Sequence, residues 1–309
     1  MVHTTPKRLL YNRSYAELQE TAWRLSRQIL EMTTKAGSGH PSSSLSAIDI
    51  LTVLFFGAVM RFNPEQPNWP ERDRFILSKG HGVPALYAVL AEAGYFDEER
   101  LGTLRQLGSP LEGHPNMRVL PGIEASTGSL GQGLSIGLGH ALAARTDGRS
   151  YRVYVLIGDG EANEGQIWEA AMAAAKFQTD NLTAILDYNK YQQTGSVNEV
   201  MPSLEPLVDK WVAFGWDVFE IDGHDVAKIT TAFQAVQRVN GRPQLILAHT
   251  LKGRGLSPFE KDDVNRKHGE PLDEAELQKA LKELDDMYLT DAFAPLEPDL
   301  TLEDKFGEI

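Results

Sequence analysis

Apolar positions along the chain recur with two different periods. Tyr15, Leu18, Ala22, Leu25, Ile29 and Met32 follow one another at steps of three and four, the spacing of one buried helix face. Ser14 and Glu17 form a capping-box pair, each side chain able to satisfy the other's free backbone N–H, so a helix is predicted to start there. Residues 35–39 end it. A second helix is predicted over residues 46–60; it is apolar around much of its circumference and therefore well buried. Further helices are predicted over residues 83–93, closed by Gly94, and over 131–145, 167–176 and 226–239. The 131–145 segment is made of small residues, which suits close packing. Short β-prone runs at 74–77, 152–157, 182–186, 217–221 and 244–248 read as strands. Residues 101–123 are loop-rich.

Strands alternating with helices predict an α/β fold: a doubly wound parallel sheet with helices on both faces. Residues 1–272 are expected to form this domain. Residues 273–309 are expected to form a charged helix to about Met287 and then an acidic arm containing Pro295 and Pro298, lying on the surface, on a partner or as a frayed end.

Composition narrows the function. The 309 residues are 42% hydrophobic, enough for a substantial core, and carry a formal net charge of -13. An acidic surface repels phosphate backbones and anionic lipid, which argues against nucleic acid and membrane as partners. Any phosphate must be held by a local device: backbone N–H groups, histidines or a metal. The chain has no cysteine, which excludes disulfides, thiolate metal sites and cysteine nucleophiles. No apolar run follows the first charges, and the apolar stretch at 50–60 is interrupted by Thr52 and Gly57. Neither a signal peptide nor a membrane span is expected, and the expected location is cytoplasmic.

In open α/β sheets, ligands sit outside the carboxyl ends of the strands. Gly158-Asp159-Gly160 falls at one such end, and Asn189 follows the next strand. A carboxylate and an amide oxygen at adjacent strand ends form a half-shell suited to Mg²⁺, which takes few protein oxygens and completes its shell with phosphates and water. Taken alone, the same residues also read as a turn and a strand-end cap. Four of the eight histidines are flanked by glycine: Gly39-His40-Pro41, Gly80-His81-Gly82, Gly113-His114-Pro115 and Lys267-His268-Gly269. Each singly reads as structural; four together point to a ligand. His3, His140, His224 and His249 are assigned to structure or surface. Gly131-Gln132-Gly133 imitates a dinucleotide fingerprint, but no strand leads into it and no acidic residue follows at the right distance. Lys252-Gly253-Arg254-Gly255 lacks the spacing of a P-loop.

Together these residues resemble the N-terminal, thiamine diphosphate-binding part of transketolase, from about Ser14 to Leu272. The motifs that carry the resemblance are Gly37-Ser38-Gly39-His40-Pro41, Leu77-Ser78-Lys79-Gly80-His81-Gly82, Gly113-His114-Pro115, Thr127-Gly128-Ser129-Leu130-Gly131-Gln132-Gly133, and Gly158-Asp159-Gly160 with Asn189-Lys190-Tyr191. The resemblance implies the diphosphate domain of the thiamine diphosphate-binding fold and transfer of a two-carbon ketol unit from a ketose phosphate to an aldose. It implies that Asp159, Asn189 and the Tyr191 carbonyl hold Mg²⁺, Ca²⁺ or Mn²⁺ on the diphosphate. His81, Gly158, Gly160 and His268 then contact the diphosphate, and Gly128, Ser129 and Leu130 line the pyrimidine side. His40, His114 and His268 face the sugar as catalytic groups, and Glu164 and Glu169 lie near a subunit interface.

Two departures from the family pattern stand out: Ser42-Ser43 where small glycine-containing sequence is usual, and Gln193 where many relatives carry an apolar residue. A full transketolase continues for about as long again. The expectation is therefore an N-terminal subunit working with a C-terminal, pyrimidine-binding subunit, two copies of each. Alternatives are a dihydroxyacetone synthase-like or deoxyxylulose-phosphate synthase-like subunit, or a non-catalytic cofactor-binding module.

Overall fold

The computed structural model describes residues 11–238, 240–260 and 267–291. Eleven α-helices and five strands are found among them. The strands are β1 (Arg74–Leu77), β2 (Val153–Gly158), β3 (Leu182–Tyr188), β4 (Asp217–Asp222) and β5 (Gln244–His249). All pairings are parallel, and the spatial order is β1-β2-β3-β5-β4. The central strands β2 and β3 are buried along their whole length, as a parallel sheet covered on both faces requires.

The helices are α1 (Tyr15–Ala36), α2 (Pro41–Leu45), α3 (Ile48–Phe56), α4 (Val83–Glu92), α5 (Gln132–Thr146), α6 (Gly165–Lys176), α7 (Val197–Val200), α8 (Leu207–Ala213), α9 (Val226–Ala235), α10 (Ser257–Glu260) and α11 (Glu274–Asp291). Alternate side chains of β2 separate two cores. Tyr154 and Leu156 join α1, α3, α4, α9 and α11 on one face. Val153, Val155 and Ile157 join α5, α6 and α8 on the other. The expected doubly wound parallel sheet is therefore observed. The small residues of α5 serve close packing: a Cβ on Gly133 would collide with Ser78, and one on Gly137 with Val155.

The Ser14–Glu17 capping box is formed, and α1 ends in left-handed Gly37. Several boundaries differ from expectation. Tyr15, expected on the buried face, is exposed, because it lies in the first turn outside the core contact. The expected helix over 46–60 is shorter. Pro41 opens a separate helix, α2, and α3 stops at Gly57, where a Cβ would meet the Val53 carbonyl. The helix expected over 226–239 ends at Ala235. Helices α7 and α8 lie in a stretch with no expected element; Ser196 and Glu199 form a capping box for α7. Helix α11 packs on α1, with Trp23 stacked on Tyr288 and its indole N–H donating to Asp285. His3 and the acidic arm beyond 291 lie outside the described residues. No helix among the described residues is long and apolar enough to cross a membrane.

Candidate active site

The parallel sheet brings four strand ends together. His81 follows β1, Gly158-Asp159-Gly160 closes β2, Asn189 follows β3 and Lys252 follows β5. These positions line a cleft of about 480 Å³. His40, which caps α2, and His114, His268, Gly128, Leu130 and Tyr191 line the same cleft. Ser129 is exposed beside them and is not part of the wall. Glu164 and Glu169 are exposed on or next to α6 and also lie off the wall. Gln193 is on it.

Three of the imidazoles form a triangle. The ring centroids of His40 and His81 are 5.1 Å apart, those of His40 and His268 5.5 Å, and those of His81 and His268 5.3 Å. His114 stands next to Gly128, whose φ of +151° only glycine adopts readily; a Cβ there would lie 3.1 Å from the His114 ring. Burial pushes His40 down to about 4, helped by Arg105, His114 and Lys252. It pushes His268 down to about 3, helped by Lys252 and His40. His81 is held well below its ordinary value by burial and then by Lys79, and His114 is lowered by burial and then by Arg105. Near neutral pH all four rings are uncharged, so each can donate from one nitrogen and accept at the other.

Two lysines that the sequence motifs do not mark as site residues lie in the same wall. Lys79 is 2% exposed and is paired with fully buried Asp187. Its ammonium also donates to the Ser43 carbonyl at 2.7 Å, and the Ser43 hydroxyl sits 2.8 Å from His81 Nε2. Lys252 is 5% exposed; burial lowers its ammonium to about 8, with Asp159 opposing. With Lys79 neutralised by Asp187, Lys252 and the N–H groups of the neutral imidazoles are what the cleft offers an anion, although the surface as a whole is acidic. Lys79 shares the strand-end motif of His81, whereas Lys252 becomes part of the cleft only through sheet order.

Asp159 is 2% exposed and has no cationic side chain as a salt-bridge partner among the described residues. Its carboxylate accepts the N–H of Gly160 at 2.6 Å and of Lys190 at 2.6 Å. Burial pushes it up to about 7, and Asp187 nearby adds to the effect. A buried carboxylate with no salt-bridge partner is costly, and a divalent cation would supply one. The donor set therefore fits a metal. No cluster of three or more His, Asp or Glu side chains suited to a metal occurs among the described residues, so any ion there would rely on amide, carbonyl and ligand oxygens, as Mg²⁺ does.

Residues 21–292 match the family model described as transketolase, thiamine diphosphate binding domain. The chain belongs to the transketolase family. It is 49% identical to the 6-deoxy-6-sulfo-D-fructose transketolase subunit of Clostridium sp. (strain MSTE9), over 78% of this chain and 87% of that one. It is 45% identical to an apulose-4-phosphate transketolase subunit of Phocaeicola vulgatus, over 84% of this chain and 90% of that one. The crystal structure of transketolase from Campylobacter jejuni superposes with a TM-score of 0.81 at 33% identity, covering 88% of this chain and 43% of that one. The chain thus spans less than half of that transketolase but nearly all of the two relatives named as subunits. The family expected from the motifs, its thiamine diphosphate-binding domain and its fold are those found.

Proposed function

We propose that this protein is the N-terminal subunit of a two-chain transketolase that uses thiamine diphosphate and Mg²⁺ to move a glycolaldehyde unit between sugar phosphates. The observation that carries the reading is the cleft, where Asp159, Asn189, Lys252 and His81 at four strand ends meet His40, His114 and His268. Asp159, Asn189 and the Tyr191 carbonyl would hold the metal. Lys252, His81, Gly158, Gly160 and His268 would bind the diphosphate, and Gly128, Ser129 and Leu130 would border the pyrimidine. The cofactor supplies the carbanion chemistry that neither histidine nor carboxylate has. His40, His114 and His268 would bind sugar hydroxyls and carry protons, a task suited to imidazoles held neutral. A metabolic role on charged sugar phosphates suits a cytoplasmic location.

The partner would be a pyrimidine-binding subunit, two copies of each chain completing paired sites, with Glu164 and Glu169 near their contact. Support comes from the relatives named as subunits, which this chain nearly spans. Their printed substrates, a sulfonated and a branched sugar, make such ketoses donors worth testing beside ordinary pentose phosphates. Helix α11, packed into the same core as α1, would act as an accessory element of the domain. A ketol-transfer assay on the purified chain, alone and with the pyrimidine-binding subunit titrated in, tests the reading. Activity only in the mixture supports it. Full activity from the lone chain would overturn the split, and no activity in any mixture would favour a non-catalytic binding module.

A further inference from the structure

The loop that carries Lys252 has an unusual backbone. Gly253, Arg254 and Gly255 have consecutive φ values of +74°, +57° and +76°, and arginine is disfavoured in that region. A Cβ at Gly253 would lie 2.5 Å from Phe259. Such a conformation persists only where its surroundings hold it.

The holding group is Asp49, fully buried in α3 and remote in sequence. Arg254 donates to Asp49 from Nε at 2.9 Å and from Nη2 at 3.1 Å. His224 Nδ1 lies 2.7 Å from the same carboxylate, and His224 Nε2 accepts the backbone N–H of Leu251 at 2.9 Å. The second bond decides the tautomer: Nε2 is the acceptor, so Nδ1 carries the proton and donates to Asp49. Burial opposes ionisation of Asp49, but Arg254 and His224 hold its carboxyl well below the usual carboxylate range. One carboxylate therefore grips both flanks of Lys252, Leu251 through His224 and Arg254 directly.

We propose that His224 is a positioning residue, which with Asp49 clamps the Leu251–Arg254 turn and so directs the Lys252 ammonium into the cleft. The part of this that concerns affinity rests on the reading that Lys252 contacts the cofactor diphosphate; the clamp itself does not. His224 does not line the cleft whose wall Lys252 helps to form. Its action is through the backbone of its neighbour.

Two measurements test the clamp on the full chain. Amide exchange at Leu251 should speed up in His224→Ala by about tenfold or more, the factor expected when one hydrogen bond of about 1.5 kcal/mol is lost. Acetylation of Lys252, followed by mass spectrometry, should also speed up as the ammonium leaves its buried position. His224→Gln, whose side-chain oxygen can stand in for Nε2, should restore most of the Leu251 protection, and it carries the test if His224→Ala fails to fold. Unchanged Leu251 exchange and unchanged Lys252 acetylation would overturn the proposal. In the assembled enzyme, thiamine diphosphate affinity measured by calorimetry gives a cycle of His224→Ala, Lys252→Ala and both together. The double variant should bind no more weakly than Lys252→Ala alone. Additive losses would mean that His224 does not act through Lys252. No loss in Lys252→Ala would instead remove the diphosphate assignment of Lys252 and leave the clamp to the two measurements on the chain.

Discussion

The Asp159 carboxylate accepts the Lys190 backbone N–H at 2.6 Å, tying the end of β2 to the turn after β3. Its other oxygen accepts the N–H of Gly160, so the group is fixed in orientation before any ligand arrives. An amide in its place would lose the charge and turn an NH₂ toward one of these donors. Asp159→Asn in the assembled enzyme is expected to weaken thiamine diphosphate binding by at least about 100-fold, the upper end of losses seen even for groups that only support a metal ligand. It should also abolish the dependence on Mg²⁺. Calorimetry with and without Mg²⁺ checks this, and unchanged affinity with intact metal dependence would remove the metal assignment.

The loop histidines should separate from His140. His40→Ala, His114→Ala and His268→Ala are each expected to lower turnover of the assembled enzyme by about 10²–10⁴-fold, the usual contribution of one acid–base group. His140 sits within α5, does not line the cleft, and its backbone carbonyl accepts the Tyr151 hydroxyl. His140→Ala should leave turnover nearly unchanged. Steady-state rates decide it: equal losses at all four positions would erase the distinction between site and scaffold.

Stability should depend on the same rings. His40 and His268 titrate at about 4 and about 3 in the folded chain, below the ordinary 6.5. The unfolded chain takes up protons at these positions first as pH falls, so their contribution is present above 6.5 and is lost progressively toward pH 4. Asp159, raised to about 7, works in the opposite direction, so the informative quantity is a difference. Urea unfolding of the chain across this range should show a shallower fall in stability for His40→Ala/His268→Ala than for the unaltered chain. Parallel curves would mean the rings are not desolvated.

Two glycines of α5 should respond oppositely to one methyl group. Gly137 packs against Val155, where a Cβ has no room, whereas nothing lies within 4 Å of a Cβ on Gly139. Alanine in a helix interior gains up to about 1 kcal/mol over glycine, and overpacking costs about 1–3 kcal/mol. Gly139→Ala should therefore raise the melting temperature of the isolated chain and Gly137→Ala should lower it. Thermal unfolding followed by circular dichroism checks both signs.

Local sequence determined a good deal here. The Ser14–Glu17 box, the period of α1 and the short β-prone runs of β1 to β5 are set by neighbours within a few residues, so their existence was legible. The glycine-flanked histidines and Gly158-Asp159-Gly160 were legible for a similar reason: close approach of a backbone to a ligand leaves glycine at fixed positions. Breaks made by geometry were less so. Pro41 opens α2, and α3 ends at Gly57, crowded by Val53; α8 is secured by burial of Leu207 and Trp211 in a distant core. Lys79 stands two residues before His81 in the chain, but only the tertiary structure decided that Lys252 belongs with those histidines. The role of Lys252 comes from strand order, which sets β5 beside β3 although β4 intervenes in the chain. The grip of Asp49 on the Lys252 turn spans about two hundred residues for the same reason: hydrogen bonds form between neighbours in space, and a parallel sheet makes neighbours of segments the chain keeps far apart.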